Sequence, residues 1–367
     1  MKMTFNMPVQ VYYGKGCILE HADNFGKCGR RAIVITDHIS FTATGADKDI
    51  IRALEEQKIE YMIYDGVESN PTIENVRKGA EASRAFHADF VVSVGGGSSL
   101  DTAKAVALLS RQDAPDEELF RTAFTEDVLP IIAVPTTSGT GSEVTPYAMI
   151  IDSKRGTKNN LKQQTFFSKF AFVDPRYTMT MPRGVAVNTS IDAMTHAMES
   201  IFAKTTNPLV QAIAYESIGT MAKAFPNMLK NKLTAEDHEN MALASVMAGM
   251  VVSQTRTTIL HGASYPLTSH KHIAHGRAMA LIIANYMRFT AKYEPDVIDR
   301  LMRTMNMKDL DEFCRTMSTL VGDIKEEERL TPEEIEKFTE EVMASHNLTN
   351  TRVPVTRDDV VAIFHYE

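Results

Sequence analysis

Asp192 and His196 stand four residues apart in SIDAMTHAMES, a stretch with helical periodicity. That spacing puts both side chains on one helix face, where they can share an ion. Further along, LHGASYPLTSHKHIAHG gathers His261, His270, His272 and His275 in an otherwise apolar helical region. Packing alone explains such a concentration of imidazoles poorly. One carboxylate and several imidazoles suit a borderline divalent ion, Fe(II) or Zn(II), better than calcium. Asp-x-x-x-His alone is common and ordinarily marks a solvated face or a hydrogen-bonded pair. Exposed loop histidines are the plainer reading of His270 and His272. Four protein ligands would close a tetrahedral zinc site, so catalysis needs room for a fifth ligand, which Fe(II) accommodates more readily.

Two glycine-rich stretches point to a second ligand. DFVVSVGGGSSLDTAKAVALL sets Gly95, Gly96 and Gly97 between a strand-like run and a helix opening at Ser98 or Ser99. Glycines let a phosphate approach the backbone, and a helix amino terminus offers free N–H groups. A tight turn is the bland reading, but three successive glycines exceed what a turn requires. GxGxxG is absent, and the acidic candidate, Asp37, precedes the glycines. Asp37 ends the run RAIVIT, from where a carboxylate can accept from a ribose hydroxyl and repel a 2′-phosphate, favouring NAD over NADP. An aspartate there also commonly serves as a turn or cap. PTTSGTGSEVT (135–145) follows another strand-like run; its hydroxyls suit a polar ligand, and a solvated loop is its bland reading.

These residues need two kinds of scaffold. RAIVIT (31–36), DFVVSV (89–94) and LPIIAVP (129–135) read as buried strands, alternating with helical patterns such as NPTIENVRKGAEASRAFHA. That alternation predicts a doubly wound parallel sheet. From Asn188 to Tyr286 a 3.6-residue period dominates, and Thr331-Pro332-Glu333-Glu334 reads as a capping box with proline at the first helical position. The expected fold is therefore α/β plus all-α: a dinucleotide-binding domain over 1–180 and an all-helical metal and substrate domain over 181–367. With 367 residues, 44% hydrophobic and 23% charged, the chain can bury a sizeable core. A net charge of −8 without a basic stripe argues against a nucleic-acid partner. No run of about eighteen apolar residues suggests a membrane span. Cys17, Cys28 and Cys314 form no CxxC pair, which together with the absence of a signal-like apolar start predicts a reduced, cytoplasmic protein.

With these motifs in this order, the sequence resembles the iron-containing (group III) alcohol dehydrogenase family over essentially its whole length. The resemblance rests on GGGSSLDTAK (95–104), PTTSGTGSEVT, DAMTHAME (192–199) and the paired histidines 261 and 275. It implies metal ligands Asp192, His196, His261 and His275. It also implies cofactor contacts at Asp37, Asn70, Gly96, Gly97, Ser98, Asp101, Thr136, Thr137, Thr140 and Lys158. The implied cofactors are NAD, with NADP as the alternative, and Fe(II), with Zn(II) as the alternative. A homodimer through the strand-like MPVQVYYG (7–14) follows from the same resemblance.

Three positions depart from the commonest family pattern. Tyr265 stands where a proton-relaying histidine is frequent, Arg256 where a small residue is common, and Ala274 before His275 where proline is usual. These resemble the branch that includes hydroxyethylphosphonate dehydrogenases. Arg256 would pair an anionic substrate tail, and Tyr265 is the candidate for proton exit, alongside a ribose hydroxyl or water. A helix cap or surface ion pair is the bland reading of Arg256. The expected reaction is reversible hydride transfer between a small primary alcohol and the nicotinamide. Two other readings stay open: a dehydroquinate synthase-like lyase using NAD and zinc, and a non-catalytic nucleotide- or metal-binding protein.

Overall fold

The computed structural model describes Met3–Tyr366. The chain divides into two compact units, Met7–Met181 and Met1–Asn6 with Pro182–Glu367. The division thus falls at 181/182. The described residues up to Asn6, expected in the α/β part, group with the helical unit instead. The Asn6 N–H donates to Gln254 Oε1 and Gln254 Nε2 donates back to the Asn6 carbonyl, both at 2.9 Å.

The first unit is built on a six-stranded parallel sheet. Its strands are β1 (Gln10–Tyr13), β2 (Arg31–Thr36), β3 (Glu60–Tyr64), β4 (Phe90–Gly95), β5 (Ile131–Pro135) and β8 (Phe170–Val173), in the order β1-β8-β5-β4-β2-β3. The central strands are apolar at nearly every position because both sheet faces are covered. Ala32, Val34, Val92 and Val94 enter one core with the helix Ala46–Glu56. Ile33, Ile35 and Val91 enter the other with the helices Ile73–Phe86 and Gly97–Leu109. From β2 the chain winds outward to β3, then returns across β2 to β4 and continues to β5. The winding therefore reverses between β2 and β4. The carboxyl ends of these strands bear Asp37 and Gly95, and that switch point is where doubly wound sheets hold ligands. Antiparallel strands β6 (Tyr147–Asp152) and β7 (Thr157–Lys162) form a separate hairpin.

The second unit is helical. Its central helix, Arg183–Phe202, is buried nearly all round from Ala186 onward and packs against helices Pro208–Ala222, Ala235–Thr255 and His275–Ala291. Thr331 and Glu334 form the anticipated capping box, with Pro332 at the helix start. No helix among the described residues is long and apolar enough to cross a membrane.

Candidate functional site

In the helical unit, the central helix carries Asp192, His196 and Glu199 at steps of four and three, so all three share one face. His261 lies in the first turn of the helix Ile259–His270, and His275 opens the next helix, His275–Ala291. These elements converge on one atom. His261 Nε2 and His275 Nε2 both lie 3.6 Å from Asp192 Oδ1, and His196 Nε2 lies 4.0 Å from it. One donor atom each from Asp192, His261 and His275 falls within a mutual 4.8 Å. His196 stands beside this trio, its ring stacked on His261 at 4.6 Å.

These separations are too long for hydrogen bonds and right for a shared ion. A tetrahedral ion with bonds of about 2.1 Å keeps its ligand atoms roughly 3.4 Å apart. Asp192 Oδ1 and His261 Nε2 are buried and have no hydrogen-bond partner, which is costly unless something else satisfies them. The charge balance agrees. Burial raises the Asp192 pKa, but the surrounding histidines outweigh it and hold the carboxyl well below its usual range. Burial likewise opposes charge on His261, yet Glu199 and Asp192 overcome it and push the ring up to about 9. Two buried carboxylates thus favour a cation among these imidazoles. The residues fit a divalent metal.

Glu199 is a further member of the site that the motifs do not single out, although it lies seven positions after Asp192 on the same face. It is fully buried, and its Oε2 pairs with His261 Nδ1. Its Oε1 accepts from the N–H of Thr258 (2.9 Å), the Thr258 hydroxyl (2.7 Å) and the N–H of His261 (3.1 Å). The paired Nδ1 points Nε2 at Asp192, the orienting arrangement common behind metal-bound histidines.

Tyr265 stands half-buried beside two of the ligands, its ring 6.2 Å from His275 and 6.5 Å from His261. Burial, with nearby Glu199, raises its hydroxyl to about 12 against the opposing influence of the Thr257 and Asn347 side chains. Near neutrality it keeps its proton. Arg256 is exposed and adopts φ 64°, ψ 174° at the end of helix Ala235–Thr255. For a residue with a side chain this conformation costs about 1–3 kcal/mol. No carboxylate among the described residues pairs with its guanidinium. His270 is engaged by Glu341 at 3.0 Å and stacks on Phe338, while His272 is exposed. Neither joins the cluster.

In the α/β unit the structure brings the expected cofactor residues together at the switch point. Gly95 takes φ 140°; a Cβ there would sit 2.4 Å from Ser99 Oγ and 3.3 Å from Asp37 Oδ2. The helix Gly97–Leu109 starts without any side-chain cap, leaving its first N–H groups for an anion. Thr137 and Thr140 lie over Gly96 and Gly97; a Cβ on Gly97 would come within 2.7 Å of Thr140 Cγ2. The Asn70 N–H donates to Ser98 Oγ (3.2 Å), and Lys158 Nζ donates to Asn70 Oδ1 (3.1 Å). The Thr136 N–H bonds the Gly95 carbonyl at 2.9 Å, tying the second loop to the first. Asp37 also serves as a local cap, its Oδ1 accepting from the N–H groups of Ile39 and Ser40. Backbone this tightly approached, with uncapped amides beneath it, fits a dinucleotide phosphate.

Asp101 has an internal partner for each oxygen, the Ser142 hydroxyl at 2.7 Å and the Met149 N–H at 2.9 Å. Beside it, buried Lys104 donates to Ser142 Oγ (2.6 Å), Thr145 Oγ1 (3.3 Å) and the Tyr147 carbonyl (2.7 Å). Burial lowers Lys104 to about 8 and raises neighbouring Glu143 to about 7. Together Asp101 and Lys104 fix the hydroxyl-rich loop over the glycine loop. Lys104→Met is therefore expected to raise the KM for the dinucleotide roughly tenfold, as loss of about 1.4 kcal/mol of loop positioning would. Metal content stays unchanged. Steady-state kinetics with metal analysis checks this, and an unaltered KM would count against the tie.

Comparison with known proteins agrees with both halves. Residues 8–175 match the model of the iron-containing alcohol dehydrogenases, and residues 186–367 match that of the carboxyl-terminal part of Fe-containing alcohol dehydrogenases. The NADPH-dependent butanol dehydrogenase of Clostridium saccharobutylicum is 32% identical over 79% of this chain and 74% of its own. An iron-containing alcohol dehydrogenase of Thermotoga maritima superposes with a TM-score of 0.88 at 33% identity, covering 99% of this chain and 98% of its own. A sulfoacetaldehyde reductase of Bifidobacterium kashiwanohense, solved in complex with NAD+, gives 0.90 at 28% identity over 100% and 98%. With Asp192 and the histidines clustered in one half and two glycine-rich loops joined in the other, the chain belongs to the iron-containing alcohol dehydrogenase family of oxidoreductases.

Proposed function

We propose that the chain reduces a small aldehyde with an anionic tail (phosphonate, sulfonate or carboxylate) to the primary alcohol, reversibly, with NADH. The observation that carries the tail is Arg256, an exposed guanidinium with no carboxylate partner among the described residues, five residues before His261. The resemblance to a sulfoacetaldehyde reductase supports it. Asp192, His196, His261 and His275 would hold the metal, Fe(II) in preference to Zn(II). The metal supplies Lewis acidity toward the substrate oxygen, and the nucleotide supplies the hydride. Glu199 fixes His261, and Tyr265, protonated beside His261 and His275, donates through its hydroxyl. Asp37, at the glycine loop, disfavours a 2′-phosphate and thus favours NADH over NADPH. β1, at the edge of the sheet, is the proposed seam of a homodimer. The three free cysteines suit a cytoplasmic enzyme.

An anaerobic panel tests this reading, with NADH or NADPH, added Fe(II) or Zn(II), and phosphono-, sulfo-, carboxy- and neutral aldehydes. NADH oxidation should match alcohol formed, with anionic substrates preferred. Arg256→Ala should lower their kcat/KM about 10–100-fold, the loss of one charge-assisted hydrogen-bonding partner. Neutral aldehydes should change little. A neutral preference untouched by Arg256→Ala would overturn the assignment.

A further inference from the structure

Arg256 occupies a backbone conformation that glycine adopts readily and other residues almost never do. Such strain persists only where the surroundings enforce it, and here the enforcing group is visible. Asn350 Nδ2 donates to the Thr255 carbonyl (2.8 Å) and to the Thr257 carbonyl (3.0 Å), the two peptide oxygens that flank Arg256. One carboxamide therefore grips the chain on both sides of the strained residue.

The grip has a firm base. The Asn350 carbonyl accepts from the Lys204 N–H (2.8 Å), and Thr351 bridges to Ala203 at the end of the central helix. Neighbours of Asn350 hold the adjoining residues as well. Asn347 Nδ2 donates to Thr257 Oγ1 (2.8 Å), and Thr351 Oγ1 accepts from the Ile259 N–H (3.0 Å). The gripped segment is the one that delivers Thr258 to Glu199, and Glu199 orients His261.

We infer that Asn350 is a positioning residue: by gripping the carbonyls of Thr255 and Thr257 it forces Arg256 into its turn and so keeps Thr258, Glu199 and His261 in register for the metal. The part of this that concerns Arg256 as an anion-binding side chain rests on the function proposed above. The part that concerns the metal does not. Without the carboxamide, an arginine at this position relaxes toward negative φ and draws Thr257 and Thr258 with it. A glycine has no such tendency and holds the turn unaided.

The test uses four full-length proteins: wild type, Asn350→Ala, Arg256→Gly and the double variant. Each is stripped of metal and titrated with Co(II), read by its visible absorption. Melting curves confirm that each is folded. Asn350→Ala is expected to weaken Co(II) binding about tenfold, the low end for loss of an outer support to a metal ligand. In the Arg256→Gly background the same change should cost no more than about twofold, an estimate from glycine's tolerance of the turn. Equal weakening in both backgrounds, or none in either, would overturn the inference. If the rescue appears while the wild type shows no preference for anionic aldehydes, the grip stands and the tail assignment falls. The reverse pattern separates them the other way.

Discussion

Replacing His261 with alanine leaves a protein that binds NADH as before and has lost nearly all its turnover. His261 Nε2 lies 3.6 Å from Asp192 Oδ1, and its Nδ1 is held by buried Glu199. Removing the ring takes away one ligand and the link to the residue that orients it. A Lewis acid contributes several kcal/mol to stabilising developing charge on oxygen, so the loss should be about a thousandfold or more in kcat/KM. Stability falls too, because breaking a buried ionic pair costs about 3–5 kcal/mol. His275→Ala separates the two effects: its side chain is 28% exposed, so metal and turnover should be lost with a smaller drop in melting temperature. NADH fluorescence titration should give the same Kd for wild type and both variants. A variant retaining more than about a tenth of wild-type kcat/KM would have lost less than about 1.4 kcal/mol and would not be a metal-ligand variant.

Gly276→Ala, a change of one methyl group, is expected to act almost as strongly. The helix that begins at His275 starts directly against the central helix, one turn before Asp192. A Cβ on Gly276 would sit 2.4 Å from the Asn188 carbonyl oxygen and 2.7 Å from its carbon. Those are backbone atoms of a buried helix and cannot swing aside. The start of the His275 helix must retreat, and His275 retreats with it from Asp192 Oδ1. Overpacking of this kind costs about 1–3 kcal/mol. A displacement near 1 Å in a catalytic constellation costs on the order of a hundredfold in rate. Metal content and kcat should fall together, while the KM for NADH, set in the other unit, should not move. Full metal occupancy in Gly276→Ala would show that the close approach has no bearing on His275.

Much of this was legible in the sequence because it obeys local rules. RAIVIT, DFVVSV and LPIIAVP announced themselves because strands covered on both faces are continuously apolar. TKNNLK escaped notice because β7 is polar and largely unburied, and FAFV is too short to be distinctive. Asp192 and His196 were readable from helical spacing, and Glu199 obeys the same rule. A lone glutamate on a helix is usually solvated, and only the structure shows this one buried against His261. The placement of the residues up to Asn6 depends on Gln254, 248 positions away, for which no local pattern exists. Arg256 is the instructive case. Arginine argues against positive φ, so the sequence pointed away from the turn that Asn350 enforces from 95 and 93 positions beyond the carbonyls it grips. Family membership in turn answers what spacing left open, since alcohol dehydrogenase relatives cover both halves of the chain.

The most direct measurement is an anaerobic titration of the metal-stripped, full-length protein with Fe(II), following aldehyde-dependent NADH oxidation and bound metal together. Activity should be near zero at the start, rise linearly with bound iron and break at one ion per chain, with His261→Ala giving no rise. Full activity in the stripped protein, or a titration that His261→Ala leaves unchanged, would contradict a metal centre at Asp192, His196, His261 and His275.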